Sequence, residues 1–160
     1  MTDQHSSHVA TGGFGSVPWS VAAAATLHCL TGCAIGEVAG MVIGTAAGLH
    51  NAATVVLSIA LAFVFGYALT MRGVIRAGVG FRQALTVALA ADTVSIAVME
   101  LLDNAVMLTV PGAMNAGLTT LLFWATLTFS LIAAFVLTTP MNRVMIGRGK
   151  GHAVVHDYHH

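Results

Sequence analysis

The stretch from Ser20 to Gly48, SVAAAATLHCLTGCAIGEVAGMVIGTAAG, holds one charged residue, Glu37, and is long enough to cross a bilayer as a single helix. Stepping by four from Cys29 gives Cys29, Cys33, Glu37, Met41 and Thr45, a row whose first four members are metal-ligand types. The adjoining row is His28, Gly32, Gly36, Gly40, Gly44 and Gly48, small residues at the spacing that lets helix backbones approach closely in lipid. One edge of this helix is therefore expected to pack tightly, while the next edge carries sulfur and carboxylate.

Three further apolar runs follow, from about Ala53 to Met71, Ala84 to Thr109 and Leu118 to Thr139. Turn chemistry separates them: His50-Asn51, Gly78 to Gly80, and Pro111-Gly112 with Asn115 to Gly117. The expected fold is all-α, an integral membrane four-helix bundle spanning about 20–48, 53–71, 84–109 and 118–139. Residues 1–17 and 141–160 read as mobile cytoplasmic tails. No Lys or Arg precedes the first run, so it lacks the basic flank of a signal peptide and is expected to remain as a span.

Composition agrees with this reading. Of 160 residues 57% are hydrophobic and only 8% charged, too few to wet the surface of a soluble domain of this size. The formal net charge is zero and no basic stripe is present, which excludes nucleic acid as a partner. Two cysteines exclude a disulfide-stapled secreted module. All six bases fall after the second or fourth span, at Arg72, Arg76, Arg82, Arg143, Arg148 and Lys150. The positive-inside rule then puts both termini in the cytoplasm.

The acids show the opposite distribution. Glu37, Asp92, Glu100 and Asp103 lie inside the spans, where each ionised group costs about 2.5–3.5 kcal/mol near the bilayer centre. Together they cost on the order of 10 kcal/mol unless protonated, hydrogen-bonded, hydrated or met by a cation. No Lys or Arg within the spans can pair with them.

On the third span Asp92, Ser95, Met99, Glu100, Asp103 and Met107 share one side of a helix. Counting depth from the cytoplasmic starts sets His28 level with Asp92, and Glu37 between Glu100 and Asp103. Two clusters are expected: an inner one of His28, Cys29, Cys33 and Asp92, and an outer one of Glu37, Met41, Glu100 and Asp103 with Met99 or Met107. Spans two and four supply Thr54, Ser58, Tyr67, Thr119, Thr126 and Ser130 and read as packing walls. Methionines fill gaps in many cores, and buried cysteines serve as small hydrophobes, metal ligands or redox groups; the residue types leave these roles open. His5, His8, His152, His156, His159 and His160 add metal-capturing types near the termini.

The string His28-Cys29-Leu30-Thr31-Gly32-Cys33, followed by Glu37 and the glycine row, resembles a small bacterial membrane-protein family of unknown function. The resemblance implies a bacterial four-helix membrane domain with the His, Cys, Cys and Glu positions as its signature, and no activity. The residues themselves lead to the expectation of a bacterial inner-membrane homo-oligomer that binds and translocates a transition-metal cation, Cu(I) or Zn(II), since soft donors select those ions. The alternative is an accessory subunit of a larger membrane complex. A thiol oxidoreductase is disfavoured because a second cysteine pair and a quinone pocket are missing. Haem is disfavoured because His28 has no second midplane histidine.

Overall fold

In a computed structural model, which describes residues 17–76 and 78–147, the chain forms four long helices. They are α1 (Trp19–Ala46), α2 (Asn51–Arg76), α3 (Phe81–Thr109) and α4 (Leu121–Gly147), with a short 3-10 turn at Ala113–Asn115 before α4. All four are long and apolar enough to cross a membrane, as expected for a four-helix membrane bundle. Each of α1, α2 and α3 starts before its apolar run, and α2 continues to Arg76, so the more polar ends project past the hydrocarbon.

Local chemistry sets the ends. Gly48 (φ 66°) and Gly78 (φ 90°) close α1 and α2 in the left-handed region that favours glycine. At the first end the Leu49 N–H donates to the Gly44 carbonyl; at the second the Val79 N–H donates to that of Val74, and the two valines pack together beneath the turn. His50 caps α2: its Nδ1 accepts from the Ala53 N–H at 3.2 Å. Thr120 caps α4 more loosely, its hydroxyl accepting from the Phe123 N–H at 3.4 Å. The Trp124 indole donates to the Leu118 carbonyl at 2.8 Å, so this tryptophan fastens the connection ahead of α4.

Residues 141–147 correct the expected tail boundary. Pro140 lies inside α4 without ending it. Its ring removes one backbone bond, yet Asn142 and Arg143 hold the following turn: Asn142 bonds into the core, and the Arg143 Nε donates to the Val17 carbonyl while its guanidinium stacks 4.3 Å from the centre of the Trp19 ring. Residues 1–16 and 148–160, including the six terminal histidines, lie outside the described residues.

Packing follows four-residue rows of small side chains. In α2 the buried residues are Thr54, Ser58, Ala62, Gly66, Thr70 and Val74; in α4 Thr126, Ser130, Ala134, Thr138, Asn142 and Ile146 form a comparable buried row. Many bulky apolar residues point outward instead, with Leu101 70% and Leu121 84% exposed to the surroundings of the bundle. Lipid removes any advantage in burying leucine, so the interior is chosen for close approach and polar contact.

The glycine row of α1 meets the α2 row in a regular antiparallel register. A Cβ placed on Gly32 would meet Gly66, one on Gly36 would meet Ala62, one on Gly40 would meet Ser58, and one on Gly44 would meet Thr54. In every pair the residue numbers add to 98. The stripe therefore joins two helices of one chain, and a second subunit cannot use the same surface.

Candidate functional site

The four membrane acids all point inward: Asp92 is fully buried, and Glu37, Glu100 and Asp103 are buried nearly as well. They stand along the seam of α1 and α3 in a row that reaches from one end of the bundle toward the other. At the level nearest the chain termini, the Cys29 thiol donates to Asp92 Oδ1 at 3.6 Å and also interacts with Ser95. One turn further, the Cys33 thiol lies against Glu100 and near Cys29. Glu100 is buried, and Cys33 is the side chain hydrogen-bonded to it. Beyond it, Glu37 interacts with Asp103 and Glu100, and the Ser130 hydroxyl donates to Asp103 Oδ1.

The row opens at the end formed by the α1 to α2 turn and the α3 to α4 connection. A cavity of about 210 Å³ there is lined by Glu37 and Asp103 at its floor, with Met41, Met107, Asn104 and Asn115 among its other lining residues. Asn51 Nδ2 donates to Asn115 Oδ1 at 2.9 Å, which ties the start of α2 to the connection that walls this mouth. The cavity thus gives small polar solutes a way to the Glu37 and Asp103 carboxylates, and no Lys or Arg among the described residues lies at this end.

The depth count matches the structure for Glu37, which stands by Glu100 and Asp103. In the expected inner cluster, the thiol bonded to Asp92 is that of Cys29, on the helix face next to His28. Cys33 links the two expected clusters, since it touches Glu100 as well as Cys29, so they form one continuous row. Met41 and Met107 line the cavity, whereas Met99 is buried among Cys29, Cys33, Ile96 and Ala134. His28 is half-buried on the glycine row; the register that pairs Gly32 with Gly66 sets it opposite Thr70, whose hydroxyl interacts with Asp92. Among the described residues, no three His, Cys, Asp or Glu side chains converge closely enough to hold one metal ion in this conformation. The arrangement is a ladder of pairs: thiol with carboxyl, then carboxyl with carboxyl.

Ser130 and Asn142 enter the interior from α4, which the sequence reading treated as a wall. Asn142 Nδ2 donates to Thr26 Oγ1 at 2.9 Å and to Ser95 Oγ at 3.1 Å. Its signal was present in the row Thr126, Ser130, Ala134, Thr138 and Asn142, polar or small at every fourth residue.

A family comparison matches residues 18–151, which cover all four helices, to a domain of unknown function, DUF4396. The chain belongs to the DUF4396 family. No curated protein and no solved structure matches it. The family assignment carries no activity, and function has to be argued from the site.

Proposed function

We propose that this DUF4396 protein is a cation-translocating membrane protein whose cargo is a soft transition-metal ion, Cu(I) or Zn(II). The carrying observation is the polar row that begins in an open cavity and continues inward through paired side chains. An ion entering past Met41 and Met107 meets Glu37 and Asp103, then Glu100 with Cys33, and finally Cys29 beside Asp92. Thioethers at the mouth and thiols at depth supply soft donors on either side of the carboxylates, which favours Cu(I) or Zn(II) over Mg(II) or Ca(II). His28 and Met99 flank the inner thiols and belong to the same donor set.

Two protein donors at each level suit passage better than storage. A closed tetrahedral site would hold zinc tightly, whereas conduction requires each stop to be weak enough to leave. Water from the cavity completes the coordination at the outer level. Deeper in, an arriving ion displaces the thiol proton, so metal movement is coupled to proton release. Glu100, buried at mid-row against the Cys33 thiol, is the group best placed to balance the ion's charge there.

The orientation belongs to this proposal. Arg72, Arg76, Arg82 and Arg143 stand at the end opposite the cavity, so the positive-inside rule directs the cavity to the periplasmic face of a bacterial inner membrane and both termini to the cytoplasm. With the glycine row occupied within the chain, a homo-oligomer would have to form through other faces.

The test is elemental analysis of the untagged protein purified in detergent, together with metal flux into proteoliposomes. Cys33→Ser is expected to lose bound metal. Asp103→Asn is expected to keep metal at the thiol level and to lower flux. Wild-type metal content and flux in both variants would refute the reading.

A further inference from the structure

The mouth of the row carries donors that neither the acids nor the thiols account for. Met41, Met107 and Met114 all line the cavity of about 210 Å³, and they come from α1, α3 and the 3-10 turn. The acid pair beneath them sets their level. Glu37 and Asp103 are hydrogen-bonded to each other across the seam of α1 and α3. Met41 and Met107 each follow one of these acids by four residues, and the two helices run in the same direction. Both methionines therefore stand one turn, about 6 Å, further out on the faces that bring the acids together. Met41 also packs against the cluster that holds Ala116, two residues beyond Met114. The turn carrying Met114 is pinned on both sides: Ala113 and Ala116 are buried, and Asn115 Oδ1 accepts from Asn51 Nδ2 at 2.9 Å.

Filling of gaps does not explain the three. Met99 is the gap-filler of this bundle, 1% exposed among Cys33, Ile96 and Ala134. Met41, Met107 and Met114 are only half-buried, and the space they border stays open. We infer that Met41, Met107 and Met114 form a receiving site for Cu(I) at the cavity mouth, and that Cu(I) in place of Zn(II) is the ion taken up. A thioether is soft and neutral. Three of them suit a soft monovalent ion, whereas zinc sites are built from thiolate, imidazole or carboxylate. Neutral donors also hold the ion loosely enough to pass it to the carboxylates one turn deeper. The inference rests on the transition-metal reading of the same row and narrows it to one ion.

The experiment uses the full chain in detergent with Cys29→Ser and Cys33→Ser, so that methionine is the only sulfur left. Cu(I), kept reduced by ascorbate under nitrogen, is titrated against the chromophoric chelator bicinchoninate, and Zn(II) is titrated in parallel. Cu(I) is expected to bind with sulfur neighbours in X-ray absorption at the copper edge. Met41→Leu, Met107→Leu and Met114→Leu together, which keep size and apolarity, are expected to remove those neighbours. Met114→Leu alone is expected to weaken Cu(I) affinity at least about tenfold. Zn(II) binding is expected to be the same with and without the three methionines. Unchanged Cu(I) affinity and sulfur neighbours in the triple variant, or Zn(II) binding that falls with the methionines as Cu(I) binding does, would overturn the site. In the wild-type background, with both cysteines kept, Met114→Leu is expected to raise the Cu(I) concentration that gives half-maximal uptake into proteoliposomes, and an unchanged value would also overturn it. Methionine-dependent Cu(I) binding in a chain that carries no metal across the membrane would sink translocation and leave this site standing. Flux in a chain whose Cu(I) binding ignores the methionines would sink this site alone.

Discussion

Replacing Gly32 by Ala sets two known effects against each other. Alanine is the better helix former by about 0.8–1 kcal/mol, so the substitution stabilises an exposed helix position. At Gly32, however, the new methyl would stand 2.7 Å from both the Cα and the N of Gly66, where ordinary carbon contacts are about 3.5–4 Å. Both opposing atoms are backbone, so no rotamer change relieves the overlap, and α1 and α2 must separate by about 1 Å. Overpacking of this kind costs about 1–3 kcal/mol, which outweighs the propensity gain. The neighbouring contacts at Gly36 and Gly40 also loosen, because they lie on the same rigid seam. Gly73 supplies the internal control: it is exposed within α2, and a Cβ there meets nothing within 4 Å. Equilibrium unfolding in mixed micelles, followed by circular dichroism, should show Gly32→Ala less stable than the parent by up to about 2 kcal/mol after the gain is subtracted. Gly73→Ala should be more stable by up to about 1 kcal/mol. Equal stabilities for the two variants would show that the seam does not depend on close backbone approach.

Pro140→Ala restores a backbone N–H that can bond to the Val136 carbonyl, and is expected to stabilise the bundle by about 1–3 kcal/mol in the same unfolding assay. No change would mean that the surrounding helix already compensates for the proline. Orientation is open to labelling on intact cells with a membrane-impermeant maleimide. Cys29 and Cys33 are at most 3% exposed and should stay unreactive, Gly117→Cys should react from outside, and Arg76→Cys should react only after permeabilisation. The reverse pattern for the two introduced cysteines would invert the topology.

The fold was legible because lipid imposes long apolar helices, and the depth of the acids was legible because α1 and α3 run in the same direction and rise equally per residue. Glu37 could thus be set between Glu100 and Asp103 by counting alone. What counting could not supply was rotation. Within the expected inner cluster the Cys29 thiol makes the bond to Asp92, while the glycine row turns His28 toward α2. The wall reading of α4 passed over Ser130 for its lack of charge, although a hydroxyl satisfies a buried carboxylate without adding another charge. Asn142 was also hidden behind Pro140, which marks a helix end in water more reliably than in a membrane, where neighbouring groups restore the freed backbone.

The seam whose paired numbers add to 98 is complete by Arg76, before any residue of α3 has been made. It uses glycine, alanine, serine and threonine, and needs no acid or thiol to form. The first two helices can therefore zip into a hairpin while translation continues, in keeping with the general order in which chains fold during synthesis. Three of the four membrane acids then arrive on a single later helix, opposite a platform that already displays both cysteines and Glu37. Three of the four groups most expensive to insert thus meet a partner that is already in place.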